Sequence, residues 1–357
     1  MQSVVLVINP GSTSTKFAVF HGDRCIFDQT LNHSAEELSG FSTIASQYEF
    51  REKAIQEALK ERDFDMSSLN AVVGRGGLLH PIPGGIYRIN EAMKADLLAA
   101  RYGEHASNLG ALIADTFAKQ FGIPAFIVDP VVVDELEDVA RVSGHKLFKR
   151  ISIFHALNQK AVARRFAKER GINYEDITLI VAHLGGGISV GLHRKGRVID
   201  VNQALSGEGP FSPERSGTLP AGDLARLCFS GQYTLQEVLK MITGKGGMVS
   251  FLGTNNMRDI EHMRDQGNKE ADFYFQAFVY QVGKYIGSLA PVVEGKVDAI
   301  ILTGGIAFWK EVTERISQMV SFIAPVVVYP GEGELEALAI AGQMALEGEA
   351  EIKEYVP

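Results

Sequence analysis

The apolar run Val4-Val5-Leu6-Val7-Ile8 breaks into Asn9-Pro10-Gly11-Ser12-Thr13-Ser14-Thr15-Lys16 and resumes as Phe17-Ala18-Val19-Phe20. Two short apolar runs around a polar, turn-rich segment predict a buried strand, a tight turn and a second strand. The turn carries a glycine that leaves backbone N–H groups accessible, four hydroxyls that donate to oxygens, and a lysine that neutralises charge. These are the groups that grip a phosphate. An ordinary hairpin tip also uses Asn, Pro, Gly and Ser, for conformational reasons alone.

The pattern recurs. Ile177-Thr178-Leu179-Ile180-Val181-Ala182 leads into His183-Leu184-Gly185-Gly186-Gly187-Ile188-Ser189 and then Val190-Gly191-Leu192-His193. Three successive glycines let the backbone reach hydrogen-bonding distance of a ligand, because no Cβ intervenes. A third strand, Val297-Asp298-Ala299-Ile300-Ile301-Leu302, ends in Thr303-Gly304-Gly305 before a helical stretch that starts near Phe308. Glycines at the carboxyl end of a buried strand sit where open α/β sheets bind ligands. Each signal is weak alone; three in this order in one chain form a strong constellation.

A chain of 357 residues is too long for a typical single core and suits two domains. With 22% charged and 46% hydrophobic residues it falls in the ordinary globular class. The net charge of −8 argues against nucleic acid as a partner, because a phosphate backbone needs a basic face; positive charge must be local. Cys25 and Cys228 lie far apart without metal-ligand spacing and read as structural thiols in a reducing cytoplasm. The amino terminus lacks a basic region followed by a long apolar one, and no apolar run approaches the roughly 18 residues of a membrane span. These features predict a cytoplasmic protein with no membrane partner.

Strands alternate with helices. Helix signals cover Asn90 to Tyr102 with Asn90 as N-cap, Ser107 to Gln120 with Gly122 beyond, and Ala156 to Arg170 with Gly171 as a stop. A strand is predicted at Ile123 to Val128, a long helix from about Ala271 to Val293 with a kink at Pro291, and a final helix from Glu334 to about Leu346.

Residues 9–16 resemble the first phosphate motif of the acetate and butyrate kinases, His183-Leu184-Gly185-Gly186-Gly187 their second, and Leu302-Thr303-Gly304-Gly305-Ile306 their adenosine motif. Phe211-Ser212-Pro213-Glu214-Arg215-Ser216-Gly217-Thr218-Leu219-Pro220 is most similar to the butyrate branch, and the resemblance runs over essentially the whole chain. It implies an α/β fold of two related actin-like (ribonuclease H-like) domains, as in the sugar kinase, Hsp70 and actin superfamily, with a nucleotide cleft between them. The implied domains are residues 1–150 with 336–357, which bind acyl and phosphate groups, and residues 151–335, which bind nucleotide. It further implies a homodimer or higher homo-oligomer. The implied reaction is reversible phosphoryl transfer between ATP and a short-chain carboxylate, with butyrate or a branched acid as acceptor. Mg²⁺ would accompany ATP.

Transfer of a γ-phosphoryl needs cations around its three equatorial oxygens. Arg75 in Gly74-Arg75-Gly76-Gly77 and Arg215 in Glu214-Arg215-Ser216-Gly217 match arginines that flank the acyl phosphate in acetate kinases. An arginine fork holds a carboxylate or phosphate through two parallel bonds; in a glycine loop it also serves as a simple surface tether. His155 resembles the family histidine that bonds the transferring group, although a histidine after Ile151, Ile153 and Phe154 is also an ordinary core residue. His105 matches a second active-site histidine. Asp129 resembles the active-site aspartate, with the role of orienting Arg75 or the metal shell, because an ionised carboxylate needs no general base.

Ser12, Ser14, Lys16, His183, Gly185, Gly186 and Gly187 would hold phosphates, with His183 orienting the second loop. Asn256, Met257 and Arg258, with Gly304, Gly305 and Ile306, would hold the nucleoside. Here the chain departs from acetate kinases, which carry aspartate, an aromatic and arginine where it has Asn256, Met257 and Arg258. It also has Trp309 and Gly186 where they have asparagines, departures that favour the butyrate branch. Mg²⁺ implies oxygen ligands; the resemblance points to Asn9 and Glu334, with Glu332 second, although either glutamate also suits a helix N-terminus. Gly244-Lys245-Gly246-Gly247 lacks Walker spacing and reads as a flexible turn. The alternatives are an acetate or propionate kinase, a related phosphatase or ATPase that positions water with a carboxylate, and an actin-like assembly protein. The Arg75 and Arg215 pair argues against the phosphatase.

Overall fold

The first apolar run forms strand β1 (Val4–Pro10), continuously buried from Val5 to Pro10. Strand β2 (Ser14–His21) and strand β3 (Arg24–Asn32) continue it as an antiparallel meander. Helices then intervene, so β4 (Ala71–Arg75) returns parallel to β1 and β6 (Ala125–Val128) parallel to β4, while the short β5 (Ile86–Arg88) lies antiparallel to β6. The second half repeats this plan. Strands β7 (Thr178–Leu184), β8 (Ile188–Arg194) and β9 (Arg197–Val201) form a meander, and β10 (Ala299–Gly304) and β11 (Val326–Pro330) add parallel strands. Strand β12 (Ile352–Glu354) joins the first sheet beside β5.

The sheet orders are β12-β5-β6-β4-β1-β2-β3 and β11-β10-β7-β8-β9, so β6-β4-β1-β2-β3 and the whole second sheet share one topology. This computed structural model describes residues 3–357 and divides into Met1–Val133 with Gly333–Pro357, and Asp134–Glu332. The second unit thus begins before residue 151, where the sequence reading put it. The reason is local: Lys160 Nζ donates to both oxygens of the buried Glu135 at 2.9 Å, the Glu137 N–H bonds the Ile199 carbonyl, and Arg150 pairs with Asp200.

The central strands of each sheet are covered on both faces. In the first unit Leu6, Ile8 and Val72 pack with Ile55, Leu59, Leu109 and Phe117 of the helices Tyr48–Glu61 and Asn108–Phe121, while Val5 and Val73 meet the final helix, Glu334–Glu347. In the second, Val162 and Phe166 of the helix Ala156–Glu169 pack on Leu179, Val181 and Ile301. Ile180, Ala182 and Leu302 face the helices Lys269–Leu289 and Lys310–Val320. Core strands covered on both faces bury successive residues, the origin of the unbroken apolar runs.

Several predicted boundaries move. The first turn is only residues 11–13, because Pro10 pairs with Thr15 and Asn9 with Lys16 in the ladder. The helix after Asn90 ends at Leu98, since the chain turns at Ala100 with φ +47°. The long helix ends at Leu289, and Pro291 opens a separate 3₁₀ turn instead of kinking it. The helix expected near Phe308 starts at Lys310, after another 3₁₀ turn. Cys25 and Cys228 are free and lie exposed on the surface, not in the core. Among the described residues no helix is long and apolar enough to cross a membrane.

Candidate active site

In the first unit, Arg75 is the last residue of β4. Its place follows from backbone packing: a Cβ on Gly74 would overlap the Gly110 carbonyl, and one on Gly110 would overlap that of Arg75, so the helix Asn108–Phe121 lies directly on the strand end. Arg75 Nη1 donates to Asn9 Oδ1 at 3.1 Å and to Glu334 Oε2 at 3.0 Å. Asn9 Nδ2 donates to the same carboxylate oxygen at 2.6 Å. Asn9 ends β1 and Glu334 opens the final helix, where the macrodipole favours a carboxylate. Both are buried, and Arg75 keeps 23% of its side chain exposed.

This cluster fits Mg²⁺ by its donor chemistry: one carboxylate and one carboxamide oxygen, with no soft ligand. Among the described residues no three His, Cys, Asp or Glu gather to hold a metal. A cation here would draw most of its shell from water and phosphate, as Mg²⁺ on a nucleotide does. The carbonyl of Glu332, the runner-up, accepts from Asn158 Nδ2 at 2.5 Å within the second unit.

At the first hairpin the Gly11 N–H donates to the Ser14 carbonyl at 2.7 Å. Ser12 and Lys16 are exposed and Ser14 is half-buried. Beneath the turn lies a residue that sequence reasoning missed, the fully buried Arg51 of the helix Tyr48–Glu61. Nη1 donates to the carbonyls of Gly11 (2.7 Å) and Ser14 (2.9 Å), and Nη2 to that of Ser12 (2.9 Å). Nε and Nη2 also reach Gln47 Oε1. Burial pushes the guanidinium pKa down to about 10. Its signal in the sequence was a charge at i, i+4, i+8 spacing with Ile55 and Leu59 on an apolar stripe.

Asp129 follows β6 and is 1% exposed at φ +36°, its Oδ1 accepting the Gly85 N–H at 2.8 Å. Pro130 packs so closely on Gly76 that a Cβ there would lie 2.6 Å away, which brings the 129–130 turn against the Arg75 loop. His105 is exposed; its Nδ1 meets Ser107 Oγ at 2.8 Å and accepts the Ser107 N–H at 3.2 Å. These bonds tie Nδ1 to the start of the helix Asn108–Phe121.

In the second unit, Gly185, Gly186 and Gly187 turn β7 into β8, with Gly185 N–H bonded to the Gly187 carbonyl. His183 on β7 and His155, at the N-cap of the helix Ala156–Glu169, stack with centroids 3.8 Å apart and planes 9° apart. The network fixes the proton of His183. Asn158 Nδ2 donates to the Glu332 carbonyl, so Asn158 Oδ1 faces His183 Nδ1 at 2.7 Å and that nitrogen carries the hydrogen. Ser189 Oγ accepts from Gln159 Nε2 at 2.8 Å and is hydrogen-bonded to His155 Nδ1 at 2.9 Å. Asn158, three residues beyond His155 on the same helix face, is a second residue the sequence reading missed.

Arg215 runs beneath the glycine hairpin. A Cβ on Gly187 would overlap its Nη1 and lie 2.6 Å from Cζ, so only glycine leaves room. Nη1 donates to the Ala204 carbonyl at 2.6 Å, while the buried Nε has no hydrogen-bond partner among the described residues. Burial lowers this guanidinium's pKa, and Glu214 opposes the shift. Ser212 Oγ donates to the Gly186 carbonyl at 2.6 Å and accepts the Arg215 N–H at 3.2 Å, joining the two loops. Residues 244–247 are no flexible turn: Gly244 N–H bonds the Glu214 carbonyl and Met248 N–H that of Ser212, which buttresses the Arg215 loop.

Beside this hairpin a cavity of about 750 Å³ opens in the second unit. Gly185 and Gly186, Asn256-Met257-Arg258, Gly305-Ile306 and Trp309 line it. Asn256 caps the helix Met257–Asp265, its side chain accepting the Arg258 N–H. Trp309 packs at 4.8 Å on Phe275, and Arg264 braces this wall through a two-pronged pair with Glu311. The structure therefore gathers Asn9, Arg75 and Glu334 in one unit. In the other it gathers the glycine hairpin, His155, His183, Arg215 and the cavity-lining residues Asn256, Met257, Arg258, Gly305 and Ile306. Gly304 ends β10 and leads into this cavity wall.

A sheet of three antiparallel and two parallel strands, present twice with a small-residue hairpin after the first strand of each copy, is the fold of the acetate kinases. The crystal structure of the Porphyromonas gingivalis acetate kinase superposes with TM-score 0.77 at 19% identity, over 97% of this chain and 100% of that one. Residues 139–324 match the acetokinase family. Over 355 residues the chain is 57% identical to butyrate kinase 2 of Clostridium acetobutylicum, covering 99% of this chain and 100% of that protein. Butyrate kinase 1 of the same organism is 56% identical over 351 residues, 98% and 99% of the two chains. The chain belongs to the acetokinase family.

Proposed function

We propose that the chain is an ATP-dependent butyrate kinase that transfers phosphoryl reversibly between ATP and butyrate, giving butanoyl phosphate and ADP. The observation that carries this reading is full-length identity above one half with two butyrate kinases. The placement of Arg215 under the glycine hairpin supports it.

The acceptor carboxylate is ionised near pH 7, so the reaction needs no general base. Its difficulty is the approach of two anions. In this reading Arg75 and Arg215 offset that repulsion and hold charge as it spreads over the transferring group. His155 hydrogen-bonds the transferring phosphoryl group, and His183, fixed through Asn158, keeps the ring stacked in place. Ser12, Ser14, Lys16 and the N–H groups of Gly185–Gly187 bind phosphate oxygens, while Asn256, Met257, Arg258, Gly304, Gly305 and Ile306 seat the nucleoside. Asp129 and His105 shape the Arg75 loop and the helix start beside it. Asn9 and Glu334 would hold Mg²⁺, which when bound withdraws charge from the phosphates. The same reading makes the protein cytoplasmic and a homodimer or higher homo-oligomer; Phe229 and Leu235, 92% and 69% exposed, are the kind of side chains an interface covers.

A hydroxamate assay, which traps acyl phosphate, tests this across acetate, propionate, butyrate, isobutyrate and valerate with ATP and Mg²⁺. A propyl-sized pocket buries two more carbons than acetate offers, each worth about 0.8 kcal/mol, so kcat/KM for butyrate should exceed that for acetate by roughly tenfold. Isobutyrate and valerate should remain substrates, since hydrocarbon contact discriminates poorly by one methyl group. Acetate as the best substrate moves the chain to the acetate branch; no acyl phosphate from any of the five refutes the kinase reading.

A further inference from the structure

We propose that Arg51 is a positioning residue for phosphate: it pulls the carbonyls of the first hairpin inward so that the peptide N–H groups behind them face outward as an anion-binding edge. This inference rests on the kinase reading above.

The hydrogen bonds carry the argument. A guanidinium has five N–H groups, and here all five have acceptors. Nε and one Nη2 hydrogen go to Gln47 Oε1, the other Nη2 hydrogen to the Ser12 carbonyl, and the two of Nη1 to the carbonyls of Gly11 and Ser14, with Thr15 Oγ1 also at 3.2 Å. A trans peptide directs its N–H opposite to its C=O. With the Gly11 and Ser12 carbonyls fixed on a fully buried group, the N–H groups of Ser12 and Thr13 point the other way, and both residues are exposed. The Thr13 carbonyl is also tied, to the His33 N–H at 2.8 Å.

The charge matters as well as the shape. Among the described residues no carboxylate pairs with Arg51, so only carbonyl dipoles and Gln47 offset its charge. An uncompensated buried cation behind a loop raises the potential at the loop's outer edge, where an anionic oxygen would sit. A purely structural tether needs the hydrogen bonds and not the charge. Lysine in the same place keeps the charge but can reach fewer of the carbonyls, and methionine keeps neither.

The test uses Arg51→Lys and Arg51→Met in the full chain, with thermal melting and the Kd of adenosine as checks on folding and on the cavity of the second unit. The readouts are the ratio of ATP to adenosine affinity and kcat for acyl phosphate formation. Arg51→Met should lower the affinity ratio about tenfold and kcat about 100-fold at unchanged adenosine Kd, and Arg51→Lys should recover part of both. A ratio and kcat within threefold of wild type in either folded variant overturn the proposal. So does a parallel loss of adenosine binding, the mark of general damage. If Arg51→Met does not fold, Arg51→Lys decides alone. A wild-type protein that forms no acyl phosphate refutes the kinase reading; an unchanged affinity ratio refutes the role of Arg51.

Discussion

Gly187→Ala isolates the contact between the second hairpin and Arg215. The new Cβ would overlap Nη1 and sit 2.6 Å from Cζ, whereas ordinary contact begins near 3.4 Å. The guanidinium therefore has to retreat by more than 1 Å, and a displacement of about 1 Å in a reacting constellation already costs on the order of 100-fold in rate. The clash falls on the end of a flexible side chain, so the fold should survive. Only the charge-assisted bond from Nη1 to the Ala204 carbonyl is strained, a loss bounded at roughly 1.5–3 kcal/mol. Arg215→Ala should cost more, roughly 3–5 kcal/mol of transition-state stabilisation, or between two and four powers of ten in kcat, with little change in ATP affinity. The two changes act through one group, so they cannot add. In the Arg215→Ala background Gly187→Ala should cost almost nothing. Measured in the hydroxamate assay, this double-mutant cycle has a clear failure: a folded Gly187→Ala variant near wild-type kcat, or costs that simply sum, would show that Arg215 does not work from beneath this hairpin.

Arg75→Ala removes the donor shared by Asn9 and Glu334 and should lower kcat by roughly 3–5 kcal/mol in barrier terms while ATP affinity changes little; near-normal turnover would exclude Arg75 from the reacting centre. His193 is fully buried between Tyr174 Oη (2.7 Å) and Gln159 Oε1 (3.0 Å), and burial holds its pKa well below the ordinary 6.5. The unfolded chain binds a proton there below pH 6.5 and the folded chain does not, so stability falls with decreasing pH, by up to ~1.4 kcal/mol per unit from this group. Urea midpoints at pH 7.5 and 5.5 should differ accordingly, and less in His193→Gln; an equal drop in the variant removes His193 as the cause.

Much of the architecture was legible in order along the chain. Val4–Ile8, Leu179–Ala182 and Ala299–Leu302 read as buried strands because a strand covered on both faces has no polar alternation, and the glycine segments marked where those strands end. The resemblance carried the site residues further than their own chemistry could. Glu334 read equally well as a helix N-terminal acid, and only its place beside Asn9 and Arg75 separates the two meanings. Boundaries were harder, because a left-handed residue such as Ala100 or a 3₁₀ turn at Pro291 costs little and leaves no periodic trace.

The succession of strands, turns and helices and the small residues at the strand ends follow from local sterics and apolar periodicity, which neighbouring residues record. Packing is what brings Arg51 under the first hairpin from 36 or more positions away in sequence, and Glu334 to Asn9 across 325. It also put Arg215 beneath Gly187, and through Asn158 and Ser189 it anchored the stacked histidines. Hydrogen bonds of that reach form only after the sheets have packed, so no pattern of neighbouring residues records them.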